Sequence, residues 1–120
     1  RRGFADNQIA SPDGSARWRI VNGQRLERST DGGAQWTPVT INSSDRLIAG
    51  AASSATVCWL VGARGAVYVT TDGTRFTRLP FTEVVDLTSV FATDALTATV
   101  SSADGRSWRT TDGGRSWNRQ

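Results

Sequence analysis

Short segments in which apolar and polar residues alternate, or which are apolar throughout, run the length of the chain, each closed by a turn signature. In the middle third these are RLIAGAA, TVCWLVG, AVYVTTD and FTRLPF, separated by a Ser-Ser pair, by GARG and by an Asp-Gly turn. Segments of this length with such punctuation predict β-strands joined by tight turns. The first third divides likewise into ADNQIAS, ARWRIVN, QRLERST and QWTPVTI, with SPDGS and NGQ as its turns. The last third reads LTSVFAT, LTATVSS, SWRTTD and SWNRQ, with ADGR inside. No stretch of ten residues carries the apolar spacing of an amphipathic helix, so helix plays no part in the predicted fold.

One turn is written three times: STDGGAQW from Ser29, TTDGTRF from Thr70 and TTDGGRSW from Thr110. Asp31 and Asp72 stand 41 residues apart, and Asp72 and Asp112 stand 40 apart. A fixed period of this size marks a repeat architecture, and a blade of four short strands has about this length. The similarity extends upstream, because Trp18 and Trp59 each precede their aspartate by 13 residues; Thr99 holds that station in the third copy. The predicted fold class is therefore all-β, with three four-stranded antiparallel blades over approximately 4–41, 45–82 and 86–120, forming a single repeat domain.

Each residue of the repeated turn has a mechanical reason. An aspartate at the mouth of a tight turn accepts hydrogen bonds from backbone N–H groups a few residues on. Glycine supplies the positive φ, the hydroxyl ties down the entering strand, and the aromatic packs on the next strand. Ser29, Asp31, Gly33 and Trp36 fill this pattern, as do Thr110, Asp112, Gly114 and Trp117. The middle copy keeps Thr70 and Asp72 but lacks one residue and carries Phe76 in place of Trp. These residues are expected to be structural clips.

With CWLVGARGAVYVTTDG, the strings resemble the Asp-box (BNR) repeats of β-propellers and, more narrowly, those of the photosystem II stability/assembly factor family. Trp59, Val61, Gly62, Gly65, Val67, Thr70, Asp72 and Gly73 match that family's repeat, while Cys58 stands where Gly is usual. Trp18, Val21, Gly23, Ser29, Asp31, Gly32, Gly33 and Trp36 match in the first copy; the third loses the Trp and the first Gly. The resemblance implies a propeller-like fold and a protein-holding role with an arginine-lined contact face. Arg25, Arg64 and Arg106, near related strand turns, are the candidates for that face. Such repeats also occur as C-terminal modules of membrane-anchored bacterial proteins, which implies an extracytoplasmic or periplasmic location. Any membrane association would then come only through an anchor outside this chain.

Propellers usually close with four to eight blades. An open array of three copies is expected to leave two apolar faces in water. Pairing of two chains around a shared axis, collapse into a sandwich or barrel, and excision from a longer parent would each resolve this. Self-association into a homo-oligomer is the expectation carried forward. The sequence holds no methionine, so it is expected to be a processed form or an excised segment.

Composition narrows the function classes. The 14 cations are all arginine against 11 acids, a net charge of +3 that points only weakly to nucleic acid, and none is expected as a partner. Without histidine there are no His-based triads and no His-ligated metal sites. The lone Cys58 lies in an apolar run and is expected in the core. The apolar stretch from Leu47 to Val69 is broken by Arg64, glycines and Ser53-Ser54, so it is not a membrane span.

Glycan cleavage needs facing carboxylates or a Tyr with an acid. The only glutamates are Glu27 and Glu83, and the only tyrosine, Tyr68, is expected to be packed or at a rim. The remaining acids fall mostly in turns. Neither catalytic residues, cofactors nor metals are therefore expected. The reading is a non-catalytic protein-interaction, assembly or extracytoplasmic sensor module, part of a larger bacterial protein. The alternative is a carbohydrate-binding module related to sialidase-type Asp-box propellers, using exposed tryptophans as stacking platforms.

Overall fold

The structure is a computed structural model and describes residues 7–23, 25–41 and 45–120. The expected start of the first blade at residues 4–6, and Gln24 in its third strand, lie outside the described residues.

The strands are β1 (Asn7–Ala10), β2 (Arg17–Val21), β3 (Arg25–Ser29) and β4 (Thr37–Val39) in the first blade. The second holds β5 (Leu47–Ala52), β6 (Cys58–Gly62), β7 (Val67–Thr70) and β8 (Thr77–Arg78). The third holds β9 (Leu87–Ala92), β10 (Ala98–Ser102), β11 (Ser107–Thr110) and β12 (Asn118–Arg119). They form three four-stranded antiparallel sheets, each a meander in chain order. Two details depart from the expectation. One turn of 3-10 helix occupies Ala63–Gly65. The fourth strands are shorter than their apolar segments, because each pairs on one side only, and Pro80 follows shortly after β8.

The first strands β1, β5 and β9 adjoin one another along the inner edge of the array, and β4, β8 and β12 form its rim. The core is not inside any blade but in the two seams between blades. Trp18, Ile20 and Leu26 meet Leu60, Cys58 and Tyr68 in the first seam. Trp59, Val61 and Val67 meet Leu87, Val100 and Trp108 in the second. Period-2 alternation makes this work, since both faces of the middle blade are apolar and it is buried on both sides. Cys58 is fully buried as expected, and burial pushes its thiol pKa upward.

Indole bonds stitch the seams, two of them reaching forward along the chain. Trp18 Nε1 donates to Gly73 O at 3.0 Å, and Trp59 Nε1 donates to Asp94 O at 3.0 Å, each reaching into the next blade.

The two end faces do not match the apolar surfaces expected of an open array. Cys58, Leu60 and Tyr68 on the leading face of the second blade correspond in register to Ala98, Val100 and Trp108 in the third. At the same stations the first blade carries Arg17, Arg19 and Glu27. On the trailing side, Trp18, Ile20 and Leu26 correspond to Trp59, Val61 and Val67, and in the third blade to Thr99, Ser101 and Ser107. The end faces are thus charged or small and polar at the stations that build the seams. Repeat arrays use such atypical terminal repeats as caps. The trailing face keeps one large apolar group, Phe91, which is 69% exposed.

Candidate functional site

The three aspartate corners share one geometry, built from bonds spanning no more than five residues. In the first, Ser29 Oγ donates to Asp31 Oδ1 at 2.7 Å and accepts from Gly33 N at 2.9 Å. Asp31 Oδ1 also accepts from Ala34 N at 3.1 Å and Gln35 N at 3.0 Å. In the second, Thr70 Oγ1 donates to Asp72 at 3.0 Å, and Thr74 N and Arg75 N donate to the same carboxylate at 3.0 and 2.8 Å. In the third, Thr110 Oγ1 donates to Asp112 at 2.8 Å, Gly114 N donates to Thr110 Oγ1 at 2.9 Å, and Ser116 donates twice to Asp112.

These bonds favour the ionised carboxylate. The Arg75 backbone N–H, followed by that of Thr74 and the Thr70 hydroxyl, holds the Asp72 pKa down at about 2. The Ser116 hydroxyl and its backbone N–H, with the Thr110 hydroxyl, do the same for Asp112, also at about 2. The Gln35 N–H and the Ser29 hydroxyl lower Asp31. A folded pKa below the ordinary 3.8 contributes stability that is fully present above 3.8 and is lost as pH falls toward 2. Thermal midpoints followed by circular dichroism should therefore be flat near neutrality and drop below about pH 4. Asp72→Asn with Asp112→Asn should flatten that drop; an unchanged slope would assign it to other groups.

The hydroxyl is the buried half of the clip. Thr110 is fully buried and holds the Gly114 N–H. Thr110→Val keeps the shape and leaves that donor without its acceptor, which should cost about 1–3 kcal/mol. Urea unfolding reads it, with Thr82→Val, at an exposed position, as the near-neutral comparison.

The corner aromatics diverge according to what each blade can reach. Trp117 Nε1 donates back to Pro80 O of the preceding blade at 3.0 Å and packs edge-on to Phe81 and Trp59. Trp36 stays within its own blade: its Nε1 donates to Gly33 O at 3.1 Å, and Arg19 lies over its ring at 4.2 Å. Phe76 has no N–H to donate, and it packs against the first seam.

The same clip recurs where the sequence showed only ordinary turns. Ser11 Oγ donates to Asp13 Oδ1 at 2.7 Å, and Ser102 Oγ donates to Asp104. The Ser-x-Asp-Gly strings at Ser11 and Ser102 were the available signal. Asp94 also closes its turn by accepting from Leu96 N and Thr97 N at 2.8 Å.

The candidate arginines lie at the opposite end from the corners of Asp31, Asp72 and Asp112. There the β2–β3 and β6–β7 turns meet the linkers into the next blade: Leu47 N donates to Gly23 O at 2.6 Å, and Gly65 N donates to Val85 O at 2.6 Å. Arg25 and Arg106 occupy equivalent register stations, with Ala66 between them in the series, and Arg64 lies in the turn proper. Arg25 and Arg64 are exposed and make no ion pair among the described residues. Arg106 is held by Glu83 at 2.9 Å and Asp104 at 2.9 Å, and it lies over Trp108. No contact joins the three arginines among the described residues, and Asp86, Glu83 and Asp104 beside them make this end mixed in charge.

Tyr68 is buried, and its hydroxyl donates to Asp45 at 2.7 Å, the carboxylate that also takes Arg78 Nε at 2.8 Å. Of the five tryptophans, Trp18, Trp59 and Trp108 are no more than 1% exposed and Trp117 is 9% exposed. Trp36 lies under Arg19. The stacking platforms that a sugar-binding reading expects are thus buried or covered. Among the described residues no group of three or more His, Cys, Asp or Glu side chains converges to hold a metal ion, and no helix is long and apolar enough to cross a membrane.

A groove of about 710 Å³ opens at the rim between the first two blades, walled by β4 on one side and by β8 and the second corner on the other. Arg28, Arg75 and Arg78 line it, with Pro38, Tyr68 and Phe76. The corresponding place in the second seam is filled by Leu79, Phe81 and Trp117.

No model of a known protein family matches the chain, and no curated protein sequence does. Solved structures do. The chain is similar to a structure described as YCF48 bound to D1 peptide, with a TM-score of 0.82 and 22% identity over 94% of this chain and 38% of that one. It is similar to YCF48 from Cyanidioschyzon merolae, with a TM-score of 0.69 and 20% identity over 94% of this chain and 39% of that one. The Niastella koreensis GH74 enzyme matches with a TM-score of 0.74 and 13% identity over 94% of this chain and 22% of that one. The chain therefore spans under two fifths of the length of the structures it resembles. It has the β-propeller fold of repeated four-stranded blades, here three of them in sequence.

Proposed function

We propose that the chain is a non-catalytic, rigid β-platform that binds a partner protein, within the extracytoplasmic part of a larger bacterial protein. The observation that carries the reading is the division of labour between the two ends. The corner aspartates are each consumed singly in fastening their own turn, whereas Arg25 and Arg64 stand exposed at the other end. Unpaired guanidinium groups on a stiff scaffold suit bidentate contact with a partner's carboxylates. The likeness to a propeller described as bound to a peptide supports the same reading. The likeness to a GH74 enzyme supports only the scaffold, because the acids here are held apart, the corner aspartates in separate turns and Glu27, Asp45 and Glu83 in pairs with arginines.

Capture from native membranes on immobilised protein, set beside a panel of immobilised glycans, tests this. A specific protein should be recovered, and Arg25→Glu with Arg64→Glu should remove it at an unchanged thermal midpoint. Saturable glycan binding with no protein recovered would replace the reading with the carbohydrate-binding one.

The polar end faces disfavour a ring completed by a second copy of this chain. Light scattering after size exclusion should give the monomer mass at high concentration. A dimer broken by Phe91→Glu would restore the paired ring.

A further inference from the structure

The rim groove between the first two blades has a cause in the one corner that departs from the repeated pattern. The middle copy lacks a residue and carries Phe76 where the other copies carry tryptophan. In the second seam the Trp117 ring crosses to the preceding blade, donates to Pro80 O and packs on Phe81. In the first seam the smaller Phe76 ring faces β4, where Val39 and Ile41 occupy the stations of Leu79 and Phe81. The rim of that seam stays open as the groove, while its inner part remains fully packed.

What lines the groove is basic. Asp31 is the acid on its wall, and its Oδ1 is occupied by the hydroxyl and N–H groups of its own corner. Arg75 is exposed and makes no ion pair among the described residues. Arg28 reaches across the seam, its Nη2 donating to Ala55 O at 3.0 Å, and its buried Nε has no acceptor. Arg78 is held by Asp45 and lies beside the Tyr68 hydroxyl. Both walls are rim strands paired on one side only, and apolar surface from Pro38 and Phe76 lies between the cations. A trough bordered by strand edges suits an extended chain, and guanidinium groups along it select carboxylates.

We propose that this groove holds an extended, carboxylate-bearing segment of a partner polypeptide. The proposal rests on the protein-binding reading above and assigns the partner's acidic segment to the corner half of the rim, away from Arg25 and Arg64. The missing residue and the Phe76 substitution are then the features that make this copy a docking copy. The third copy, with its full corner, seals the equivalent place.

Arg115 stands three residues after Asp112, as Arg75 stands three after Asp72, and is likewise exposed, so the two provide a charge-matched pair. The probe is a short fluorescein-labelled peptide alternating glutamate and threonine, followed by anisotropy at physiological salt, with a lysine–threonine peptide as control. The glutamate peptide should bind the whole protein saturably. Arg75→Glu should weaken it by at least about tenfold, and Arg115→Glu by less than about twofold. Phe76→Trp, which narrows the groove without changing charge, should also weaken it.

Equal losses in Arg75→Glu and Arg115→Glu would show general electrostatic attraction and overturn the groove. So would displacement of the peptide by a glucan oligosaccharide, or the absence of binding. If capture of the native partner fails in Arg25→Glu with Arg64→Glu but survives Arg75→Glu, the groove is wrong and the platform reading stands. If no protein is captured by any form, the platform reading itself falls.

Discussion

Replacing Trp59 by alanine should cost about 3–5 kcal/mol, the range for deleting a large buried aromatic side chain. The indole is fully buried in the second seam and stands edge-on to Trp117 with ring centroids 6.3 Å apart. Truncation would open a cavity between blades that contact each other nowhere else but along this seam and its linkers. It would also strand Asp94 O, which accepts the indole N–H at 3.0 Å. A small domain has roughly 5–15 kcal/mol in total, so the variant should sit close to its unfolding midpoint at room temperature. Trp36→Ala is the comparison, since that ring is only partly buried and is covered by Arg19 rather than by a second blade. Its cost should stay below about 1.5 kcal/mol. Urea unfolding of both variants reads the difference; equal costs would mean that the seam is not where stability resides.

Gly62→Ala should be nearly as damaging, for a different reason. The backbone there is extended, at φ −160° and ψ −159°, so alanine has no conformational objection. The obstacle is contact: an added Cβ would lie 2.0 Å from Arg46 O and 2.9 Å from Arg46 C. Both are main-chain atoms of the linker into β5, and Arg46 O is already accepting from Ala63 N at 2.8 Å. The linker must shift, and the β5–β6 pairing at Leu47 and Gly62 shifts with it. Overpacking costs typically 1–3 kcal/mol, and this case should lie at or above about 3. Gly105→Ala separates the two mechanisms: its φ is +91° and no atom lies within 4 Å, so the cost should be the left-handed strain alone, about 1–2 kcal/mol. Thermal unfolding ranks them, and Gly105→Ala costing more than Gly62→Ala would contradict the steric account.

Much of the fold was legible because its punctuation is local. The corner bonds at Ser29–Asp31, Thr70–Asp72 and Thr110–Asp112 link residues two to four apart, so eight-letter strings carry their whole geometry. The blade period follows from the same corners. The end caps were legible in principle too, since stepping from Cys58 and Leu60 to the matching positions of the first copy meets Arg17 and Arg19. The expectation of apolar ends came from counting blades rather than comparing their faces. The fourth strands read too long because apolar content at Leu79 and Phe81 serves a seam, not a ladder.

The candidate site was less legible. Arg25, Arg64 and Arg106 have similar places in the sequence, yet Arg106 is bound into a bridge with Glu83, 23 residues away, while the other two are exposed. No pattern of spacing distinguishes them. The rim groove was invisible as well: the shortened corner could be seen, but the opening it leaves depends on what the preceding blade places opposite Phe76.

By itself, then, the sequence determined the all-β class, the repeat, the strand order within each blade and the chemistry of the three repeated corners, because these rest on alternation and on bonds within a few residues. Tertiary structure alone decided which arginines are engaged, which tryptophans are covered and where the rim opens. Those outcomes depend on contacts between residues some 20 to 55 apart, such as Trp18 with Gly73 and Trp59 with Asp94, which form only when one blade docks on the next.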